Sequence, residues 1–174
     1  MYKLARVTDI IDAISEWTGR GVAWLTLVMV LVQFVVVMLR YVFDWNRIYI
    51  QESVVYIHAV IFLVGAAYTL KHEGHVRVDI FYREMSPRAK AWVNLFGTLF
   101  LLLPTCGFIF WVSWDYVSSS WSIFEGSREA GGLPGVFMLK SVILVMAGMV
   151  VLQGIAEVLR NLLILRGFNP QQEC

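Results

Sequence analysis

The chain has 174 residues, of which 59% are hydrophobic and only 16% charged, with a mean hydropathy of +0.68 and a net charge of +1 at pH 7. A soluble domain is about half apolar and a quarter charged, so this composition excludes an ordinary soluble fold and points to the membrane. The near-neutral balance also excludes nucleic acid as a partner, because that needs a strongly basic face.

Residues 1–20 place Leu4, Val7, Ile10, Ile11, Ile14 and Trp17 at helical spacing, with Lys3, Asp9, Asp12 and Glu16 elsewhere on the wheel. This pattern predicts an amphipathic interfacial helix, lying either on lipid or on a partner's apolar surface. The segment has no apolar core or small-residue cleavage site of the kind a signal peptide carries. A first transmembrane helix is predicted at 21–43, built on the uncharged run Gly21 to Leu39. A second is predicted at 52–70, interrupted only by His58. Residues 71–90 form a turn and interfacial segment, in which Gly74 breaks the helix and Ser86-Pro87 supplies an N-cap and a first-turn proline. The third helix is expected at 87–114, followed by a polar loop at 115–135, where Gly131-Gly132 stops regular structure and Pro134 can start the next helix. The fourth runs over 136–160, leaving a tail at 161–174. Each span has about the 20 residues that a bilayer requires. Lipid offers the backbone no hydrogen-bond partners, so each span must be helical. The fold class expected is therefore an all-α membrane protein of a single domain, with four transmembrane helices plus the N-terminal amphipathic interfacial helix. The two cysteines, Cys106 and Cys174, are read as free thiols, because they cannot make a disulfide framework.

Sidedness follows from the 14 lysines and arginines. Lys3, Arg6, Arg20, Lys71, Arg77, Arg83, Arg88, Lys90, Arg160 and Arg166 fall on one side, and Arg40, Arg47, Arg128 and Lys140 on the other. The positive-inside rule then puts both termini in the cytoplasm.

The stretch LKHEGHVRVDIFY, from Leu70 to Tyr82, concentrates polar residues in this apolar chain. His72 and His75 are three apart with Gly74 between them, whereas a helical zinc site places its histidines four apart and adds a further ligand. The stretch is read as a cytoplasmic turn. A haem held between two histidines of this chain also fails: His58 lies fourteen or more residues from the others, roughly 21 Å of helix rise. The mid-span positions Val30, Ile61, Leu102 and Ala147 are apolar, so no ion-relay group sits where an autonomous ion-coupled transporter needs one. His58, the one clearly intramembrane ionisable residue, is expected to hydrogen-bond a neighbouring helix. No nucleophile, phosphate-loop or paired-carboxylate motif occurs, so the chain is read as non-catalytic. The expected outer surface carries Arg40, Arg47, Glu52, Arg128, Gly131, Gly132, Pro134 and Lys140, candidates for contact with a partner or with phospholipid headgroups.

The order of these features resembles a known family. RYVF (Arg40 to Phe43) follows helix one, and Glu52 opens helix two. GAAYTLKHEGHVRVDIFYREMSPRAKAW (Gly65 to Trp92) and GGLPGVFMLKSVI (Gly131 to Ile143) complete the match. The chain is similar to the small membrane (Q-type, DctQ-like) subunit of tripartite ATP-independent periplasmic (TRAP) transporters. Gly74, His75, Val76, Val78 and Asp79 carry the most specific part, and GGLP narrows the match to part of the family. The resemblance implies a large M-type membrane subunit that holds the substrate and sodium sites and moves as an elevator. It also implies a periplasmic solute-binding protein that delivers the solute, commonly an organic acid, and a bacterial inner-membrane location. The small subunit then braces the scaffold, holds no cofactor of its own, and lends its outer loop to docking. Two other readings predict different observations: a membrane anchor for a redox enzyme would bring an absorbing cofactor, and an autonomous transporter would work alone in vesicles.

Overall fold

The structure, a computed structural model, describes residues 2–75 and 82–167. The described residues are helical and contain no strand. Four long helices are apolar and long enough to cross a membrane. They are α1 (Tyr2–Val42), α2 (Ile48–Lys71), α3 (Pro87–Ser122) and α4 (Val136–Leu165). The helix α4 is the hub. It packs against each of the other three and contributes more of the buried residues than any of them, among them Phe137, Ala147, Val150, Ala156 and Leu163. The helices α1 and α2 also pack on each other.

The predicted amphipathic helix and first span are one element, with no break between residues 20 and 21. A single set of positions, Ser15, Gly19, Val22, Leu25, Met29, Val32, Val36 and Leu39, turns toward the bundle along the length of α1. Their three- and four-residue spacing is that of a helix following its neighbours at a small crossing angle. A side chain at Gly19 would run into the ring and Cβ of Tyr68, so glycine lets α1 and α2 touch there. In the first turns the amphipathicity is inverted. Thr8 and Ser15 are buried, and Asp12 and Glu16 bond into the bundle, while Val7, Ile10, Ile14 and Trp17 are exposed, Trp17 at 80%. That arrangement requires apolar surroundings outside.

The ends follow the chemistry of caps. Asp44, at φ 49°, terminates α1. At the end of α2, the amide of Gly74 donates to Thr69 O at 2.9 Å and that of Glu73 to Leu70 O at 3.2 Å. The left-handed residue of this Schellman turn is Glu73, at φ 51°, and not the glycine expected to break the helix. Ser86 caps α3 as predicted, accepting from the amide of Ala89, with Pro87 in the first turn.

Two boundaries differ from expectation. First, α3 runs past Trp114 to Ser122, so the connecting loop spans 123–135. Val117 and Ser120 are buried against the bundle, and the hydroxyls of Ser118 and Ser122 donate back to carbonyls three residues earlier, which lets a serine-rich segment stay helical. Second, Pro134 lies ahead of the last helix. Gly135 occupies the cap and α4 starts at Val136, with the amide of Phe137 donating to the Glu125 carbonyl at 3.3 Å. Within α3 a π-helical turn covers Thr98–Leu102, just before Pro104. A proline ring clashes with the carbonyl four residues earlier in a regular helix, and one wider turn relieves that crowding.

Candidate functional site

The apolar middle of the bundle is closed at each end by a polar cluster. At the end formed by the start of α1, the end of α2 and the end of α4, the key residue is Gln153. Its side chain is fully buried. Its Nε2 donates to Asp12 Oδ1 at 2.8 Å, and its Oε1 accepts from the Ser15 hydroxyl at 2.7 Å. The other Asp12 oxygen accepts from Arg160 Nη2 at 2.7 Å, and Arg160 Nη1 reaches Glu157 at 2.7 Å. Asn161 Nδ2 completes the chain on Glu157 Oε1 at 2.9 Å. On the neighbouring turn Glu16 accepts from Lys71 at 2.7 Å and from Arg20 at 3.0 Å, and His72 Nε2 lies 2.9 Å from the same carboxylate. These contacts bolt α1 to α2 and α4. A buried amide with each of these hydrogen bonds made costs little, and removing one member strands the rest.

At the opposite end Glu52, in the first turns of α2, grips the loop between α3 and α4. It accepts from the Ser127 hydroxyl and, at 2.6 Å, from the amide of Leu133. A side chain at Gly132 would strike Ser127 and Glu52, which is why the loop needs glycine there. Gly131 adopts φ 82°, a conformation that only glycine takes without strain. Glu125 accepts from Lys140 and, at 2.7 Å, from Ser120. The Lys140 ammonium also lies 4.1 Å from the centre of the Tyr116 ring. Hydrogen bonds from Lys140 and then Ser120 hold the Glu125 carboxyl below its ordinary range, outweighing the effect of its burial. Trp121 donates to Ser141 at 2.8 Å and meets Phe137 edge-on at 4.7 Å, so α3 and α4 are joined just inside this polar layer.

The structure gathers all the candidate outer residues at this one end, in two groups. Glu52, Gly131, Gly132 and Lys140 are engaged within the chain. Arg40, Arg47, Arg128 and Pro134 face outward. The guanidinium of Arg47 sits 5.1 Å from the Trp45 ring centre, and that of Arg40 5.9 Å from Tyr41. Gly74 and His75, at the other end, are exposed. Val78 and Asp79 lie outside the described residues. His58 does not bond to a neighbouring helix of this chain. It is exposed, with its ring 5.2 Å from that of Phe62.

Sequence reasoning did not single out Asp12, Ser15, Glu16, Gln153 or Arg160 as a cluster. One signal was available: Gln153 is an amide in an otherwise apolar run, and such a residue in a membrane helix needs a partner.

The sequence matches the family "Tripartite ATP-independent periplasmic transporters, DctQ component" over residues 29–163, well over half of its length. The chain belongs to the DctQ family. Searches of curated proteins and of solved structures yield no match. As a DctQ component it is a multi-pass membrane protein and the small subunit of a transporter, not an enzyme. The family implies that it works in a tripartite complex with the large membrane subunit and a binding protein. Both clusters of this DctQ component lie within or just outside the matched region: Glu52, Glu125, Lys140, Gln153 and Arg160 inside it, Asp12 and Glu16 before it.

Proposed function

We propose that this DctQ component braces the immobile scaffold of a large elevator-type subunit in a sodium-driven uptake system for organic acids, and that its outer end helps dock the periplasmic binding protein. On this reading the sodium and solute sites belong to the large subunit. The chain sits in a bacterial inner membrane with both termini in the cytoplasm, placing the Glu52 and Glu125 cluster outside. The family match over residues 29–163 carries the reading. The two locked ends support it, because a brace must resist shear, and pairs of ionic and hydrogen-bonded contacts at both ends of a bundle give that resistance. The outward Arg47 and Arg128 add a positive rim that suits electrostatic steering of a docking partner.

The test is reconstitution of the large subunit in liposomes with the binding protein and an inward sodium gradient, with and without this chain. Uptake of an organic acid that requires both the chain and the gradient is the expected result. Undiminished uptake without the chain would overturn the bracing role, and uptake indifferent to sodium would overturn the coupling.

A further inference from the structure

On the outside of the α1–α2 pair an open groove of about 390 Å³ is lined by Met29, Val30 and Gln33 from α1 and by Val54, Val55 and His58 from α2. Gln33 and His58 are both exposed, and neither has a hydrogen-bond partner among the described residues. Gln33 stands seven residues before Arg40, and His58 six residues after Glu52. At 1.5 Å per residue both lie roughly 10 Å inward from that charged layer, so the two polar groups are level with each other inside the apolar span. Val30 and Val55 on the walls are more than half exposed.

An amide and an imidazole at this depth meet no water, and acyl chains offer neither donor nor acceptor. The remaining polar side chains of α1 and α2 that point away from water in this chain have been given partners, as Ser15, Thr18, Ser53 and Thr69 show. We infer that this groove is the seat of a membrane-spanning helix of the large subunit, which packs an apolar ridge between Val30 and Val55 and presents a hydroxyl or amide side chain to Gln33 and His58. Polar complementarity selects such a helix over lipid, and the groove's width between two helices suits a single ridge of side chains. The inference rests on the reading that this chain works beside a large membrane subunit.

The experiment places a benzophenone amino acid at Val55, or at Trp111 on α3 as a control, in the complete complex in native membranes. After illumination the adducts are identified by mass spectrometry. The expected result is an adduct with the large subunit from position 55 and none from position 111. An adduct with lipid alone, an adduct with a second copy of this chain, or equal yields from the two positions would overturn the assignment. In parallel, the double variant Gln33→Leu, His58→Leu should retain the large subunit about tenfold less well on purification in mild detergent. Unchanged retention would overturn the polar pairing. If the unsubstituted chain brings down no large subunit, the complex itself is refuted; if it does and position 55 stays silent, only the groove is.

Discussion

Gln153 shows how much one amide can organise. It reads Asp12 with its nitrogen and Ser15 with its oxygen, and through Asp12 it sets the position of Arg160. Replacing it with leucine keeps the volume and removes both bonds, leaving Asp12 and Ser15 turned toward an apolar neighbour. The expected loss is about 1–3 kcal/mol, the cost of stranding buried polar groups, and thermal unfolding of the purified chain in detergent measures it. Residues facing outward should behave differently. Arg47 and Arg128 make no ion pair among the described contacts, so Arg47→Glu and Arg128→Glu should leave that unfolding transition within about 0.5 kcal/mol of the parent. Uptake by the complex should fall in both variants, and most at low ionic strength, where unscreened charges steer a docking partner. Unchanged uptake in both would remove these two arginines from the docking surface.

At the scale of the element, the loop between α3 and α4 is held by α2, its neighbour across the bundle, rather than by its own ends alone. Glu52→Gln keeps the shape of the side chain but replaces one accepting oxygen with a donor, so it cannot serve both Ser127 and Leu133. The amide of Leu133 should then exchange with deuterium about tenfold faster, while amides in the middle of α2 keep their protection. The elements themselves were legible in the sequence, because runs such as Gly21 to Leu39 have one physical solution in a bilayer. Their ends were less so. The serines after Asp115 read as loop because serine competes with the backbone for hydrogen bonds, yet here the same hydroxyls bond back into α3 and Val117 anchors it. Glu73 and Phe124 occupy left-handed positions that pattern reasoning assigns to glycine. The polar side of residues 1–20 was visible as a stripe, but whether a stripe faces water or the protein depends on partners far along the chain, at Lys71, Gln153 and Arg160.

For the molecule as a whole, the polar layers at the two ends fix the apolar height between them, and they respond to acid through Glu125. Its folded carboxyl ionises below the ordinary value of 4.5, so the contact with Lys140 contributes in full above that pH. As the pH falls below 4.5 and through the lowered folded value, the carboxylate is protonated and the contribution is lost. Thermal unfolding should therefore be insensitive to this pair between pH 6 and 8, ranges where neither state of Glu125 titrates on the order of its ordinary value. Below about pH 4.5 the parent should lose stability faster than Glu125→Gln, in which there is no carboxyl to protonate.

The wide turn in α3 has a consequence for how this chain can change length. One additional residue is carried at Thr98–Leu102, and it sets the rotational phase of everything that follows. Deleting Leu101 would draw the helix back to an even pitch and rotate its later half by about 100°. Val117 and Ser120 would swing off α4, Trp121 would leave Ser141, and Glu125 would no longer come round to Lys140. The deletion variant should still insert, since its hydropathy is unchanged, but it should lose its cooperative thermal transition. A conservative pair such as Leu101→Ile should keep it. Insertions and deletions are thus tolerated in the loops of this bundle and forbidden in the first half of α3, where the count of residues, more than their identity, aligns two distant surfaces.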